Sequence, residues 1–157
     1  MKLRACLLLP LLLATAASSP LELRIVRAQT GWREAASFKR ISEYFAGREN
    51  TGGQLVLRTH ANQRSGYYFL VRVANAGAPL DAKISLHVIK PTAAAPVVRS
   101  FSVPLPGGDS VLNLGLTGPD WPDSKVHPVA WKLEITSADG RALATEKSYL
   151  WEKPGGP

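Results

Sequence analysis

Gly66-Tyr67-Tyr68-Phe69-Leu70-Val71-Arg72-Val73-Ala74 is the stretch on which the fold turns. In an extended chain successive side chains point to opposite faces, so Tyr67, Phe69, Val71 and Val73 share one face and Tyr68, Leu70 and Arg72 the other. The first face is wholly apolar or aromatic and belongs on a core. β-Branched and aromatic residues suit a pleated, half-buried surface, and Arg72, the one charge in the run, falls on the second face. Tyr68 and Leu70 would leave apolar area bare there, which predicts a covering segment. The stretch therefore reads as a central strand of a sandwich, with one face on the main core and the other partly roofed.

The segments on either side repeat the pattern. Leu21 to Arg27 alternates Leu21, Leu23 and Ile25 with Glu22 and Arg24, a first strand with Pro20 at an edge position. Between Gln29 and Asn50 the period changes: Phe38, Ile41 and Tyr44 with Phe45 recur at three to four residues, and Gly47 is placed to stop a helix. A short helix is expected there without a capping box, since Ser37 is followed three residues later by Arg40, and its aromatic stripe is the expected roof over Tyr68 and Leu70. Gln54 to Thr59 turns Leu55 and Leu57 inward and is expected to form a hairpin with the central strand.

Further on, Ala82, Ile84, Leu86 and Val88 alternate with polar residues, as do Val97, Arg99, Phe101 and Val103 with Val98, Ser100 and Ser102. Ser110 to Leu116 carries Leu112, Leu114 and Leu116 on one face. Thr117 to Pro128 is irregular, with prolines at 119, 122 and 128 that forbid a continuous ladder. Val129 to Thr136 and Arg141 to Trp151 are the last two strands, joined through Asp139-Gly140, which supplies the positive φ of a tight turn. Trp131 and Tyr149 fall in these strands and are expected to pack.

About seven or eight short strands with turn signals roughly every ten residues predict an all-β, antiparallel β-sandwich with one short N-terminal helix or helical turn. In layout, Gln54 to Trp151 resembles the immunoglobulin-like or fibronectin type III-like modules of exported bacterial proteins of unassigned activity, without the paired cysteines of antibody domains. The resemblance implies a fold and no activity.

The chain opens with Lys2 and Arg4, an apolar leucine-rich run from Ala5 to Leu13, and small residues from Ala14 to Ser19, the layout of a secretory signal peptide. The run is about a dozen residues, against the ~20 that span a bilayer as a helix. The expected organisation is a signal peptide at 1–17, an N-terminal strand and helical segment at 18–50, the sandwich at 51–152 and a loose tail at 153–157. The expected destination is periplasmic or extracellular, with no transmembrane segment in the mature chain. The single cysteine, Cys6, lies inside the expected leader, so the mature domain must be held by its core alone.

Loss of Lys2 and Arg4 takes the formal charge from +7 to +5. The excess is uneven: Arg48, Arg58, Arg64, Arg72, Lys83, Lys90 and Arg99 face only Glu49 and Asp81 between residues 48 and 99. That composition suits an anionic polymer or a membrane surface, but the charges come singly at strand spacing, as on an ordinary solvated sandwich. Nucleic acid is not an expected partner of an exported chain with such scattered charges.

Catalytic and metal chemistry find little to build on. His60, His87 and His127 are far apart, each without a second ligand at metal spacing. There is no G-x-S-x-G elbow, and no glycine-rich loop precedes a helix with Lys-Ser or Lys-Thr. No enzyme, no cofactor and no metal is expected. The remaining candidates are Trp32 and Trp121, in irregular segments, with Asp120 and Asp123 beside the latter. A loop tryptophan either plugs the end of a sandwich or stands out as a stacking platform, and carboxylates beside it would suit sugar hydroxyls. The leading expectation is a non-catalytic interaction module docking another envelope or secreted protein through exposed sheet edges, particularly the first and last strands. A carbohydrate-binding module and a binder of anionic polymers are the alternatives.

Overall fold

The computed structural model describes residues 23–93 and 95–152; the expected signal peptide and the tail at 153–157 lie outside them. Among the described residues eight strands form two four-stranded sheets. One is ordered β1 (Leu23–Arg33), β3 (Gly66–Asn75), β6 (Gly108–Thr117) and β2 (Leu55–Arg58); the other is β5 (Val97–Leu105), β4 (Leu80–Ile89), β7 (Ala130–Ser137) and β8 (Ala142–Lys147). The expected sandwich is what the chain forms.

The central-strand reading holds residue by residue. Tyr67, Phe69, Val71 and Val73 are buried, and β3 is flanked on one side by β1 and on the other by β6. Facing it across the interior are Ala82, Ile84, Leu86 and Val88 of β4 with Leu133 and Ile135 of β7, all buried. Leu112, Leu114 and Leu116 of β6 complete the first sheet's inner face. Period-two alternation is what lets both sheets turn apolar faces inward while Lys83, Ser100 and Ser102 stay outside.

Three expectations are corrected. β2 does not form a hairpin with β3: it runs parallel to β6, Leu55 opposite Leu112 and Leu57 opposite Leu114, so the sandwich is not purely antiparallel. Both sides of β3 are already occupied, and only the outer edge of β6 can take the leucines of β2 inward. Thr59 and Thr117 extend that pairing with their hydroxyls: Thr117 N donates to Thr59 Oγ1 at 3.0 Å and His60 N donates to Thr117 Oγ1 at 3.0 Å. Second, β1 continues to Arg33, because Gln29 to Arg33 find ladder partners in Leu70 to Gly66. The helical signal shrinks to a 3₁₀ turn at Ala35–Phe38 and the helix α1 (Ile41–Ala46), which Gly47 stops at φ 65° with its N–H on Glu43 O. Glu43, the third residue of α1, accepts from Arg40 N at 3.4 Å, the carboxylate half of a capping box where none was expected, because the helix starts after Arg40 and not after Ser37. Third, Tyr149 is exposed: the chain leaves the ladder at Ser148, whose hydroxyl takes the Trp131 N–H at 2.9 Å, and turns away through a 3₁₀ turn.

The two open sides of the sandwich differ. β1 lies against β8 across the sheets, which closes that side. Both strands also carry a register shift, β1 between Ile25 and Arg27 and β8 opposite Ile135 and Thr136. A bulge twists an edge away from further pairing. On the other side β2 is four residues long, whereas β5 pairs with β4 over nine uninterrupted positions and, among the described residues, has no strand on its outer flank.

Candidate functional site

The outer face of the first sheet carries an anchored projection. Gly115 of β6 leaves the slot that the Tyr68 ring fills; a Cβ there would stand 2.5 Å from the ring. Phe38 packs on Tyr68 with ring centroids 4.6 Å apart, and the guanidinium of Arg58 lies 5.0 Å from the Phe38 centroid. Phe38 is therefore the roof expected over Tyr68, while Leu70 borders a separate depression with Arg27, Gln29 and Val111. The rest of the stripe is not: Ile41, Tyr44 and Phe45 are 85%, 92% and 85% exposed. α1 thus points these apolar side chains outward.

Ion pairs hold this knuckle in place. Arg58, its side chain only 6% exposed, donates both terminal nitrogens to Glu49 at 2.6 and 2.8 Å and its Nε to Tyr68 Oη at 2.8 Å. Tyr68 Oη in turn donates to Arg64 O at 2.7 Å, and Arg64 Nη1 donates to Glu43 Oε2 at 2.7 Å. Asn50 bridges the return of the chain, with its N on Glu43 Oε1 and its Nδ2 on Ser42 Oγ. The hydrogen bonds from Arg64 and Arg58 hold the Glu43 and Glu49 carboxyls below the usual carboxylate range, and burial pushes the Tyr68 phenol up. Sequence reasoning counted Arg58 and Arg64 as scattered cations; an acidic residue within ten of Arg58 was the one signal of this pairing.

The Trp121 end is a plug. Trp121 is 1% exposed, its ring 5.0 Å from that of Tyr67 and its Nε1 donating to Val126 O at 3.0 Å. Lys90 sets its ammonium 5.0 Å from the indole centroid and donates to Asp120 O. Trp32 stands opposite Tyr67 in the ladder, half-buried, with Nε1 on Glu34 Oε1 at 2.7 Å. The two tryptophans do border one shallow depression, together with Gln63, Ser65 and Pro122, but Trp121 has no face to offer in it. Asp120 is turned to the opposite side, where both its oxygens take Arg99 and His60 Nε2 stands 3.5 Å away. The Arg99 hydrogen bonds hold the Asp120 carboxyl below its ordinary range. Asp123 accepts the Lys125 N–H at 2.8 Å in an exposed turn. The four residues thus do not converge on one platform.

The depressed carboxyl values have a definite pH consequence. A carboxylate whose pKa falls on folding contributes stability above its unfolded value, ~4, and loses it as pH drops through the folded value. Stability is therefore expected to be flat above about pH 5 and to fall below it as Glu43, Glu49 and Asp120 are protonated. Urea midpoints measured at pH 6, 4 and 3 check this, and an unchanged or rising midpoint toward acid would rule it out.

The basic middle of the chain is largely spent internally. Of its seven cations, Arg58, Arg64 and Arg99 are in ion pairs and Lys90 sits on Trp121. Among the described residues no cluster of three or more His, Cys, Asp or Glu is placed to hold a metal, and no helix is long and apolar enough to cross a membrane.

No protein-family model matches this sequence and no curated protein matches it. A solved structure of an immunoglobulin-like protein from Pseudomonas aeruginosa aligns over 80% of this chain and 94% of its own, at 16% identity and a TM-score of 0.36. The fold assignment rests on the chain's own two facing sheets, an immunoglobulin-like layout.

Proposed function

We propose that this chain is a non-catalytic, exported β-sandwich that binds another envelope or secreted protein by adding a strand at β5. The observation that carries it is the contrast between edges: β1 and β8 are bulged and close on each other, β2 is short, and β5 is long, straight and unpaired on its outer flank among the described residues. The docking edge is thus not the first or last strand. Between Arg99, tied to Asp120, and Pro104 the strand is Ser100-Phe101-Ser102-Val103, without a charge to repel a partner.

Pro104 also tells which way the backbone faces. It has no N–H and sits without interrupting the register, a position a ladder tolerates where the nitrogen points to the free edge. Residues of the same parity, Ser100 and Ser102, then direct their N–H groups outward. Ser102→Pro removes one such donor and leaves the β4 ladder intact.

The test is crosslinking of the tagged protein in its native envelope, followed by mass spectrometry of what is retained. A partner at near-equal amounts is expected for the wild type, with recovery reduced about tenfold or more by Ser102→Pro at unchanged melting temperature. Capture that is indifferent to Ser102→Pro, or recovery of the bait alone, overturns the proposal. The polysaccharide reading has less to stand on, since Trp121 is buried and Asp120 is committed to Arg99.

A further inference from the structure

We infer that the α1 knuckle is a contact for an anionic phospholipid surface, separate from the β5 edge, which belongs to the other sheet. Ile41, Tyr44 and Phe45 follow at i, i+3 and i+4 and share one side of the helix. They are the most fully exposed large apolar side chains of the N-terminal half among the described residues, on a segment pinned to the sheet by partly buried ion pairs. A chain that spends Arg58, Arg64, Glu43 and Glu49 on holding three bare apolar groups outward has fixed a projection, not left a frayed one.

Charge decides what that projection meets. Its two carboxylates, Glu43 and Glu49, are neutralised by Arg64 and Arg58. Lys39, Arg40 and Arg48 are exposed and make no ion pair among the described residues. Lys39, Arg40 and Arg48, with Ile41 and Tyr44, line one cleft of about 520 Å³ beside the helix. The presented surface is therefore apolar and aromatic at the tip and positive around it. Aromatic and aliphatic side chains enter the headgroup boundary while cations meet lipid phosphates, and two such signals together hold where one alone is marginal. An apolar protein groove would accept the tip, but it would have no use for the three unpaired cations.

The experiment is flotation of the mature chain, released from the leader expected at 1–17, with vesicles of phosphatidylcholine alone and of phosphatidylcholine mixed with phosphatidylglycerol. Partition into the mixed vesicles is expected, with little into the zwitterionic ones, and it falls on raising salt as the surface potential is screened. Phe45→Ser should weaken partition about tenfold or more through lost apolar burial, and Lys39→Ala or Arg48→Ala about fivefold each. Because these side chains are exposed, the variants should melt with the wild type, which separates lost binding from lost fold. Equal partition of Phe45→Ser and wild type would overturn the inference by placing the affinity elsewhere. No partition of the wild type would overturn it too, as would a Phe45-dependent self-association without vesicle binding. None of these outcomes involves the protein partner sought at β5.

Discussion

Trp121→Ala is expected to cost about 3–5 kcal/mol and to lower the melting temperature by on the order of 10 °C. The ring fills the end of the sandwich against Tyr67, and its indole N–H is the partner of Val126 O. Truncation leaves a cavity, an unpaired carbonyl and Lys90 without its aromatic face. Trp121→Phe keeps most of the volume and loses the hydrogen bond, so it should fall between the two. Trp32→Ala, at a half-buried site, should cost well under the loss at Trp121. Denaturant unfolding of the three variants decides the point: a Trp121→Ala protein within about 1 kcal/mol of the wild type would reject the plug and return the ring to the list of binding surfaces.

Arg58→Ala should have the next largest effect, about 2–3 kcal/mol, because it removes one partner of a largely buried, bidentate pair. Glu49 keeps only Arg64, at 3.6 Å, Tyr68 loses the donor to its oxygen, and Phe38 loses the nearer of the two cations over its ring. The segment from Ala35 to Gly53 has no strand ladder of its own, so it is held by side-chain anchors of which Arg58–Glu49 is one and Phe38 and Arg64–Glu43 are the others. Limited trypsin digestion should then cut at Lys39, Arg40 and Arg48 markedly faster than in the wild type. Arg58→Lys is expected to rescue little, since an ammonium cannot span both carboxylate oxygens and the Tyr68 hydroxyl. Unchanged digestion of Arg58→Ala would mean that Phe38 packing and the Arg64–Glu43 pair keep the knuckle docked without it.

The contrast between these two sites is instructive for where sequence reading succeeds. Trp121 sits among prolines at 119 and 122, and a loop so constrained folds back on the core, so the plug was one of two readings open from the residues alone. Arg58 gave no such signal. Its partners Glu49 and Tyr68 lie on different segments, and only the parallel placement of β2 beside β6 brings its side chain to them. A β-hairpin between β2 and β3, the local expectation, would have given Arg58 other neighbours.

Strand existence, inward faces and the central role of Gly66 to Ala74 were determined by the sequence itself. They follow from a two-residue period that each segment carries within itself, independent of what it pairs with. Strand order, the parallel β2–β6 pair, the closed and open sides of the sandwich and the outward turn of Ile41, Tyr44 and Phe45 were decided only by the tertiary structure. These depend on which edge is free when a segment arrives and on what remains to cover it, and period-two alternation is the same whichever neighbour a strand takes.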